Sequence, residues 1–434
     1  MRPLPIGLYT HSADKKDNYV ITSKARQRHT AIFGKSGVGK TTLMRNMIVW
    51  DMVNGLGVSV LDPHGQLIDE LLNHIPRSRT NEVIYFNPHD TKAIPGINIL
   101  ERVSRDHRPL VVSALVSTLK NIWPDNWGPQ TEYLLSNFTF ALLEQREPAT
   151  LLALPKLLTD SAYRAHVLKS VSDPAVRGFF KIYDEVWDDD QRARASAPLL
   201  NKASKFITNP LLRNIIGQPT SSFDFRRLMD RQQILLCDLS KGALGEDVSS
   251  LLGSLITTKM YLASLSRQDT PEKDRVPHFF YIDEVHNFTY GVDLASILSE
   301  ARKYRLTLSI ATQTLNQLPE KTVAAVFGNC ATVMCFRVSG ADAKVLEYEF
   351  AMAINAGQLE ELPDFKLYIK TLIEGEGHGE TITMPASPKL ITTFPPFENT
   401  KKANTRARIV RASLERFARL RAEVEAYIEK RLLE

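Results

Sequence analysis

The pattern of apolar and polar positions divides the chain into four stretches. In residues 1–103, short apolar runs alternate with helix-spaced segments. Thr30–Phe33 is an apolar run entering a Gly-rich loop, and Thr41–Met52 has helical spacing. Gly57–Leu61 is a second buried run, ending in Asp62-Pro63-His64-Gly65, and Glu82–Phe86 is a third. Strands alternating with helices predict a parallel sheet with crossover connections. Between 104 and 222 the rhythm changes. Leu110–Leu119, Thr131–Leu143 and Leu151–Leu158 carry apolar residues at helical intervals, and strand-like runs are scarce. This predicts an inserted all-α domain, edged by Pro95-Gly96 and Pro219. From 223 to 397 the earlier rhythm returns, with strand candidates at Gln233–Asp238, His278–Ile282, Thr307–Thr312 and Thr332–Val338 and a long helix over Ser249–Leu265. Glu374–Gly379 reads as the loop at a hairpin tip, and Phe394-Pro395-Pro396 closes the unit. In the last stretch, 398–434, Arg406–Leu433 reads as one amphipathic helix. The expected fold is α/β, with a mainly parallel central sheet, an inserted all-α domain and a C-terminal helix.

Bulk properties narrow the class. A length of 434 residues exceeds one ordinary core, so two or three structural units are expected. Apolar residues at 43% and charged residues at 24% match a soluble globular chain. There is no uninterrupted apolar run of about eighteen residues, so no membrane span is expected. Met1–Pro5 lacks an apolar signal region. The cysteines, Cys237, Cys330 and Cys335, show no paired metal-ligand spacing; a reducing, cytoplasmic home is expected, without disulfides or structural zinc. The net charge of +5 resides in the tail, where Lys401–Glu434 holds ten basic and five acidic residues. Such a tail reads either as a footprint for a polyanion or as a solvated helix of mixed charge.

Chemistry enters at Gly34-Lys35-Ser36-Gly37-Val38-Gly39-Lys40-Thr41-Thr42, which follows a strand and opens a helix. In that context the Gly-x4-Gly-Lys-Thr spacing is a phosphate cradle. Gly37 and Gly39 let the backbone wrap an anion without a Cβ in the way. The loop amides and the helix N-terminus then face it. Lys40 is placed to reach the β- and γ-phosphates of ATP, and Thr41 to ligate Mg²⁺. The run His278–Glu284 is an apolar strand ending in two acids. Beside a cradle, Asp283 suits the Mg²⁺ shell and Glu284 the attacking water. Gln313, at the tip of Thr307–Thr312, is a candidate γ-phosphate sensor, because ligands sit at the carboxyl ends of such sheets. Arg302 reads from composition as a surface arginine. Asp62-Pro63-His64-Gly65 reads as a tight turn or as a moving element beside the nucleotide.

Taken together, GKSGVGKTT (Gly34–Thr42), LDPHGQL (Leu61–Leu67), the segment Leu235–Ile256, FFYIDEVHNF (Phe279–Phe288), the segment Ser299–Gln313 and GNCATVMCFRV (Gly328–Val338) resemble the HerA/FtsK branch of RecA-like P-loop ATPases. Within that branch they resemble most the type IV secretion coupling proteins of the TraD/TraG kind, over roughly residues 20–350. The resemblance implies a RecA-like domain in two parts, 1–103 and 223–397, around a helical insertion at 104–222, with a basic helix at 398–434. It implies catalytic roles for Lys40, Glu284 and Gln313, metal ligation by Thr41 and Asp283, and a hexameric ring in which Arg302 reaches a neighbouring subunit's γ-phosphate. Head-to-tail contacts that close into a ring are what such a residue requires.

Two functions compete. The first is a DNA-translocating motor of conjugative transfer, gripping the phosphate backbone; Lys202, Lys205, Arg213, Arg226 and Arg227 are candidate grip residues, or solvated surface. The second is an ATPase-switched platform that recruits a relaxase or other protein of a secretion complex. Trp123, Trp127 and Tyr133 would then form a docking patch, or are core aromatics. The adjacent acids and the large insertion argue against a compact P-loop kinase. The expected location is the cytoplasm, with the inner face of a membrane as the place where a partner complex would recruit it.

Overall fold

The computed structural model describes residues 1–434 apart from 13–14, 102, 126, 290–291, 378–379, 399–403 and 434. An eleven-stranded sheet forms its centre. Its strands are β1 (Leu4–Ser12), β2 (Lys15–Ile21), β3 (Thr30–Phe33), β4 (Gly57–Asp62), β5 (Val83–Phe86), β6 (Ile234–Asp238), β7 (His278–Ile282), β8 (Leu306–Thr312), β9 (Thr332–Cys335), β10 (Lys366–Lys370) and β11 (Lys389–Thr393). They lie in the order β2-β1-β11-β10-β9-β3-β8-β7-β4-β6-β5. From β9 to β5 neighbouring strands are parallel. From β10 to β2 they are antiparallel.

Parallel strands covered by helices on both faces read as unbroken apolar runs. Every residue of β3, β7 and β8 is buried accordingly. Alternate side chains enter two cores: Ala31 and Phe33 face one, Ile32 the other. The second core holds α1 (Lys40–Val53) through Leu43, Met44, Met47 and Ile48. The first holds the helices between 108 and 216, including α2 (Arg108–Ile122), α3 (Pro129–Glu144) and α4 (Asp189–Thr208), together with α5 (Glu246–Leu265). Each fully buried aliphatic or aromatic side chain contributes about 1.5–3 kcal/mol, so the sheet is a rigid base for whatever sits on its edge.

The register sets that edge. Phe33 pairs with Thr312, Ile310 with Ile282, Ile282 with Leu61, and Asp62 with Asp238. The carboxyl ends of β3, β8, β7, β4 and β6 therefore line up, and the residues that follow them share one rim.

Three features differ from the sequence expectation. The antiparallel strands β1, β2, β10 and β11 were not anticipated; they alternate or carry charge, as in Lys366–Lys370, where only Leu367 and Ile369 are buried. Glu374–Gly377 is not loop but strand: Leu372–Gly377 pairs with Glu380–Pro385, and backbone pairing needs no apolar side chain. His378 and Gly379, from the same expected loop, lie outside the described residues. The expected single C-terminal helix is two, α6 (Asn404–Phe417) and α7 (Arg421–Leu433). Arg419 and Leu420 leave the helix to pair with Ile94 and Ala93, and the Arg421 N–H donates to the Lys92 carbonyl. Helical spacing alone does not reveal such a distant backbone partner.

Candidate active site

The loop after β3 turns back over the sheet edge and enters α1. Gly37 (φ 80°) and Gly39 (φ 112°) take left-handed conformations that favour glycine. At Gly37 a Cβ would meet nothing, so backbone rather than space selects glycine there. A Cβ on Gly39 would lie 2.9 Å from Phe365 Cδ1, so both reasons apply at that position. The loop is braced from the segment just after β9, the Lys35 N–H donating to the Arg337 carbonyl at 2.8 Å. No side chain caps the N-terminus of α1. In contrast, the Asp188 carboxylate at the start of α4 completes a capping box. The free amides of an uncapped first turn, with the helix dipole behind them, suit an anion.

The cradle and the acids meet. The Lys40 ammonium is buried and donates to the Gly34 and Lys35 carbonyls at 2.6 and 3.0 Å. It stands 3.8 Å from Glu284 Oε1. Burial pulls its pKa down, against the pull of Glu284 and Asp283. Thr41 Oγ1 donates to Asp283 Oδ2 at 3.4 Å. Gln313 Nε2 donates to Glu284 Oε1 at 2.9 Å. Five of the residues singled out from sequence, Lys40, Thr41, Asp283, Glu284 and Gln313, thus form one contiguous group. Lys35, Ser36 and Thr41 are exposed around it, Thr42 is half-buried, and Val38 is buried beneath the loop.

Burial of like charge strains the group. Asp283 is 3% exposed, and its pKa is pushed up to about 6 by burial first, then by the neighbouring charges of Glu284 and Asp62. Glu284 has φ 44°, an unfavourable backbone for a non-glycine residue. Its amide donates to Asp283 Oδ1 at 3.0 Å, locking the two acids to each other. Glu284 Oε2 is buried and accepts no hydrogen bond; His286 Nδ1 stands 3.5 Å away. A buried oxygen without a donor costs about 1–3 kcal/mol or more when charged.

These features fit a nucleotide with a divalent cation. An uncapped helix and a buried ammonium await anionic oxygens, and crowded carboxylates await positive charge. Among the described residues no group of three or more His, Cys, Asp and Glu is arranged to hold a metal alone. Mg²⁺ needs no such cage, since one or two protein oxygens plus phosphates suffice.

Other expected residues lie elsewhere. Arg302 is exposed in the turn Ala301–Tyr304 that precedes β8, at the amino end of the strand whose carboxyl end carries Gln313. Seven residues of strand, roughly 23 Å, separate the two, so Arg302 cannot reach its own subunit's cradle. Burial lowers its pKa, and nearby Arg28 adds to this. The Asp62 turn is structural in its bonds: Asp62 accepts from the His64 and Ile68 amides, and Gly65 (φ 81°) packs on Asp238. Its charge nevertheless bears on Asp283. Of the candidate grip residues, Lys202 is buried over the Trp127 ring and Lys205 lies over Trp123. Arg213 donates to the Ile207 carbonyl, and Arg226 is held by Asp230 and Asp269. Arg227 lines a large cavity of about 1420 Å³ between the helices and the amino edge of the sheet. Trp123 and Trp127 pack against the core, whereas Tyr133 is exposed with its ring edge-on to Phe179. Of the basic tail, Lys401 and Lys402 lie outside the described residues.

Two contributors escaped the sequence reading. Arg337 and Phe365, from the segment after β9 and from the turn before β10, brace the cradle through backbone atoms. Nothing local in the sequence marks residues that far along the chain as neighbours of Gly34–Thr42.

The family described as "Type IV secretion-system coupling protein DNA-binding domain" matches residues 20–350. No protein of curated function matches the chain by sequence. Among solved structures, the bacterial conjugative coupling protein TrwBdeltaN70, unbound, aligns with a TM-score of 0.58 and 16% identity over 89% of this chain and 89% of its own. The plasmid coupling protein TrwB in complex with ADP and Mg²⁺ aligns with a TM-score of 0.58 and 16% identity over 89% of each chain. VirB4 of Thermoanaerobacter pseudethanolicus aligns with a TM-score of 0.56 and 12% identity over 92% of this chain and 97% of its own. At these identities the likeness speaks to the fold, which is a RecA-like α/β P-loop fold.

Proposed function

Because the chain belongs to the type IV secretion-system coupling protein family, we propose that it is an ATP-hydrolysing motor that moves DNA in conjugative transfer. The observation that carries this reading is the contact between cradle and acids. Lys40, Thr41, Asp283, Glu284 and Gln313 converge where β3, β7 and β8 end, and Glu284 keeps one buried oxygen without a hydrogen bond. Lys40, with the amides of residues 34–42, binds and orients the phosphates of ATP. Thr41 and Asp283 hold Mg²⁺, which supplies neutralisation of the phosphate oxygens when bound. Gln313 occupies Glu284 Oε1 and so fixes the carboxylate, leaving Oε2 to orient the attacking water and take its proton. A TrwB structure in complex with ADP and Mg²⁺ supports the choice of cofactors.

Beyond the single chain, the reading is a head-to-tail ring, a hexamer by family resemblance, with nucleotide at each interface. Arg302 then serves a neighbour's cradle, a role supported by its exposure and its distance from its own. In that case Arg302→Ala loses turnover by about 10³-fold or more, and mixing it with Lys40→Ala restores part of the rate; no recovery at any ratio removes the trans role. The helical insertion 104–222 sits between the two parts of the nucleotide domain, 1–103 and 223–397. DNA, a relaxase and a secretion complex are the partners. No helix among the described residues is long and apolar enough to cross a membrane. The proposed location is the cytoplasm, at the inner face of a membrane where such a complex resides.

The test is the steady-state ATPase rate with and without single- and double-stranded DNA, with Lys40→Ala as the blank. Stimulation by DNA that falls as salt rises is expected for a motor gripping phosphates. A rate indifferent to both DNAs refutes the motor and leaves the recruitment platform in its place.

A further inference from the structure

We propose that the Phe365 ring is the platform on which the nucleotide's base stacks, so that this residue makes the site selective for a planar heteroaromatic base; the inference rests on the ATP reading above. Phe365 lies in the turn before β10 with φ 62°, a backbone that favours glycine over any bulky residue. Its main-chain bonds explain the backbone but not the side chain. Its N–H donates to the Val38 carbonyl within the cradle at 2.9 Å, and its carbonyl accepts from the Thr393 N–H and hydroxyl at 2.9 and 3.1 Å. Glycine or asparagine would make the same three bonds with less strain. Packing on Gly39 accounts for only one side of the ring, since it is 49% exposed. The side chain therefore meets something that arrives from solvent beside Gly39.

The position is rigid and suitably flanked. Arg337 donates to the Leu362 carbonyl and pairs with Asp364 at 2.7 Å, while its own carbonyl holds the Lys35 amide. One residue thus fixes the Phe365 turn and the cradle together. Further along α1, Asn46 donates to the Phe394 and Pro395 carbonyls and accepts from the Phe397 amide. Phe365 at Gly39 and the exposed Pro395 at Asn46 bracket the first two turns of α1, where Thr41 is exposed. A ligand with its phosphates in the cradle leaves its ribose and base beside this bracket. An aromatic face there suits any flat base, because every base has a π-face.

The experiment compares affinity for Mg·ATP with affinity for Mg·tripolyphosphate, which has the phosphates and no base. It uses wild type, Phe365→Ala, Phe365→Leu and Phe365→Trp. Wild type is expected to bind both. Phe365→Ala and Phe365→Leu should lose about 5- to 100-fold for ATP and nothing for tripolyphosphate, and Phe365→Trp should retain ATP binding. Unchanged ATP affinity in Phe365→Ala overturns the stacking role while leaving the nucleotide site intact. An equal loss for both ligands also overturns it, since the residue would then shape only the cradle. Wild type that binds neither ligand overturns the nucleotide reading itself and the stacking with it.

Discussion

Two charged clusters clamp the two ends of α1 to the same strand, and they are built to opposite rules. At the last turn of the helix, Asp51 is bidentate with Arg26 at 2.6 and 2.7 Å and accepts from the Tyr281 hydroxyl at 2.6 Å. Arg26 also reaches Tyr281 at 3.1 Å and lies 4.2 Å from the centre of the Phe279 ring. Every group there is answered, and Asp51 is fully buried. At the first turn, just past the end of that strand, Asp283 and Glu284 crowd each other, one carboxylate oxygen makes no hydrogen bond, and the backbone is strained. Lys40, Asp283 and Glu284 are as buried as Arg26 and Asp51, so burial alone does not separate structure from function. Satisfaction does: the complete cluster stabilises the fold, and the incomplete one is the proposed nucleotide site.

That contrast can be broken from either side. The largest expected effect on stability comes from the satisfied cluster. Asp51→Ala strands the buried Arg26 charge and should cost about 3–5 kcal/mol, read as a lower denaturant midpoint. A loss below about 1 kcal/mol would place Arg26 and Asp51 among dispensable contacts. A smaller effect of opposite sign is expected at the incomplete cluster. The folded Asp283 carboxyl titrates at about 6, above its ordinary 3.8. Its protonated form is therefore favoured by folding. The contribution is fully present below the unfolded value near 4 and is lost as pH rises through about 6. Ligand-free Asp283→Asn should accordingly be more stable than wild type at pH 7.5 by about 1–3 kcal/mol, with the gap closing towards pH 4. Equal midpoints at pH 7.5 would show that the crowding carries no cost. The smallest shift is in pH dependence: Mg²⁺-dependent nucleotide binding should weaken as pH falls below about 6, as Asp283 gains its proton.

The incomplete cluster was far more legible in the sequence than the complete one. Gly34–Thr42 and Asp283–Glu284 stand out because phosphate chemistry demands those residue types next to a strand end. Unbroken apolar runs marked His278–Ile282 and Thr30–Phe33 at the bounds the fold shows. Arg26, Asp51 and Tyr281 carry no such signature; their partnership spans 255 positions and exists only in the fold. The same holds for Phe365, whose left-handed backbone is visible only in three dimensions, and for the break between α6 and α7, made by a backbone partner at 93–94. The antiparallel edge was missed because charged, half-exposed strands such as β2 and β10 lack the apolar signature of the parallel ones.

Whether Glu284 activates the water is read from the turnover of Glu284→Gln, with bound nucleotide measured in the same sample. Gln keeps the shape and the contact with Gln313 but cannot take a proton at Oε2. ATP should bind as tightly as in wild type, with hydrolysis slower by about 10²–10⁴-fold and no loss of stability. Turnover at the wild-type rate would contradict this role, and would mean that the unsatisfied oxygen of Glu284 is not where the water is activated.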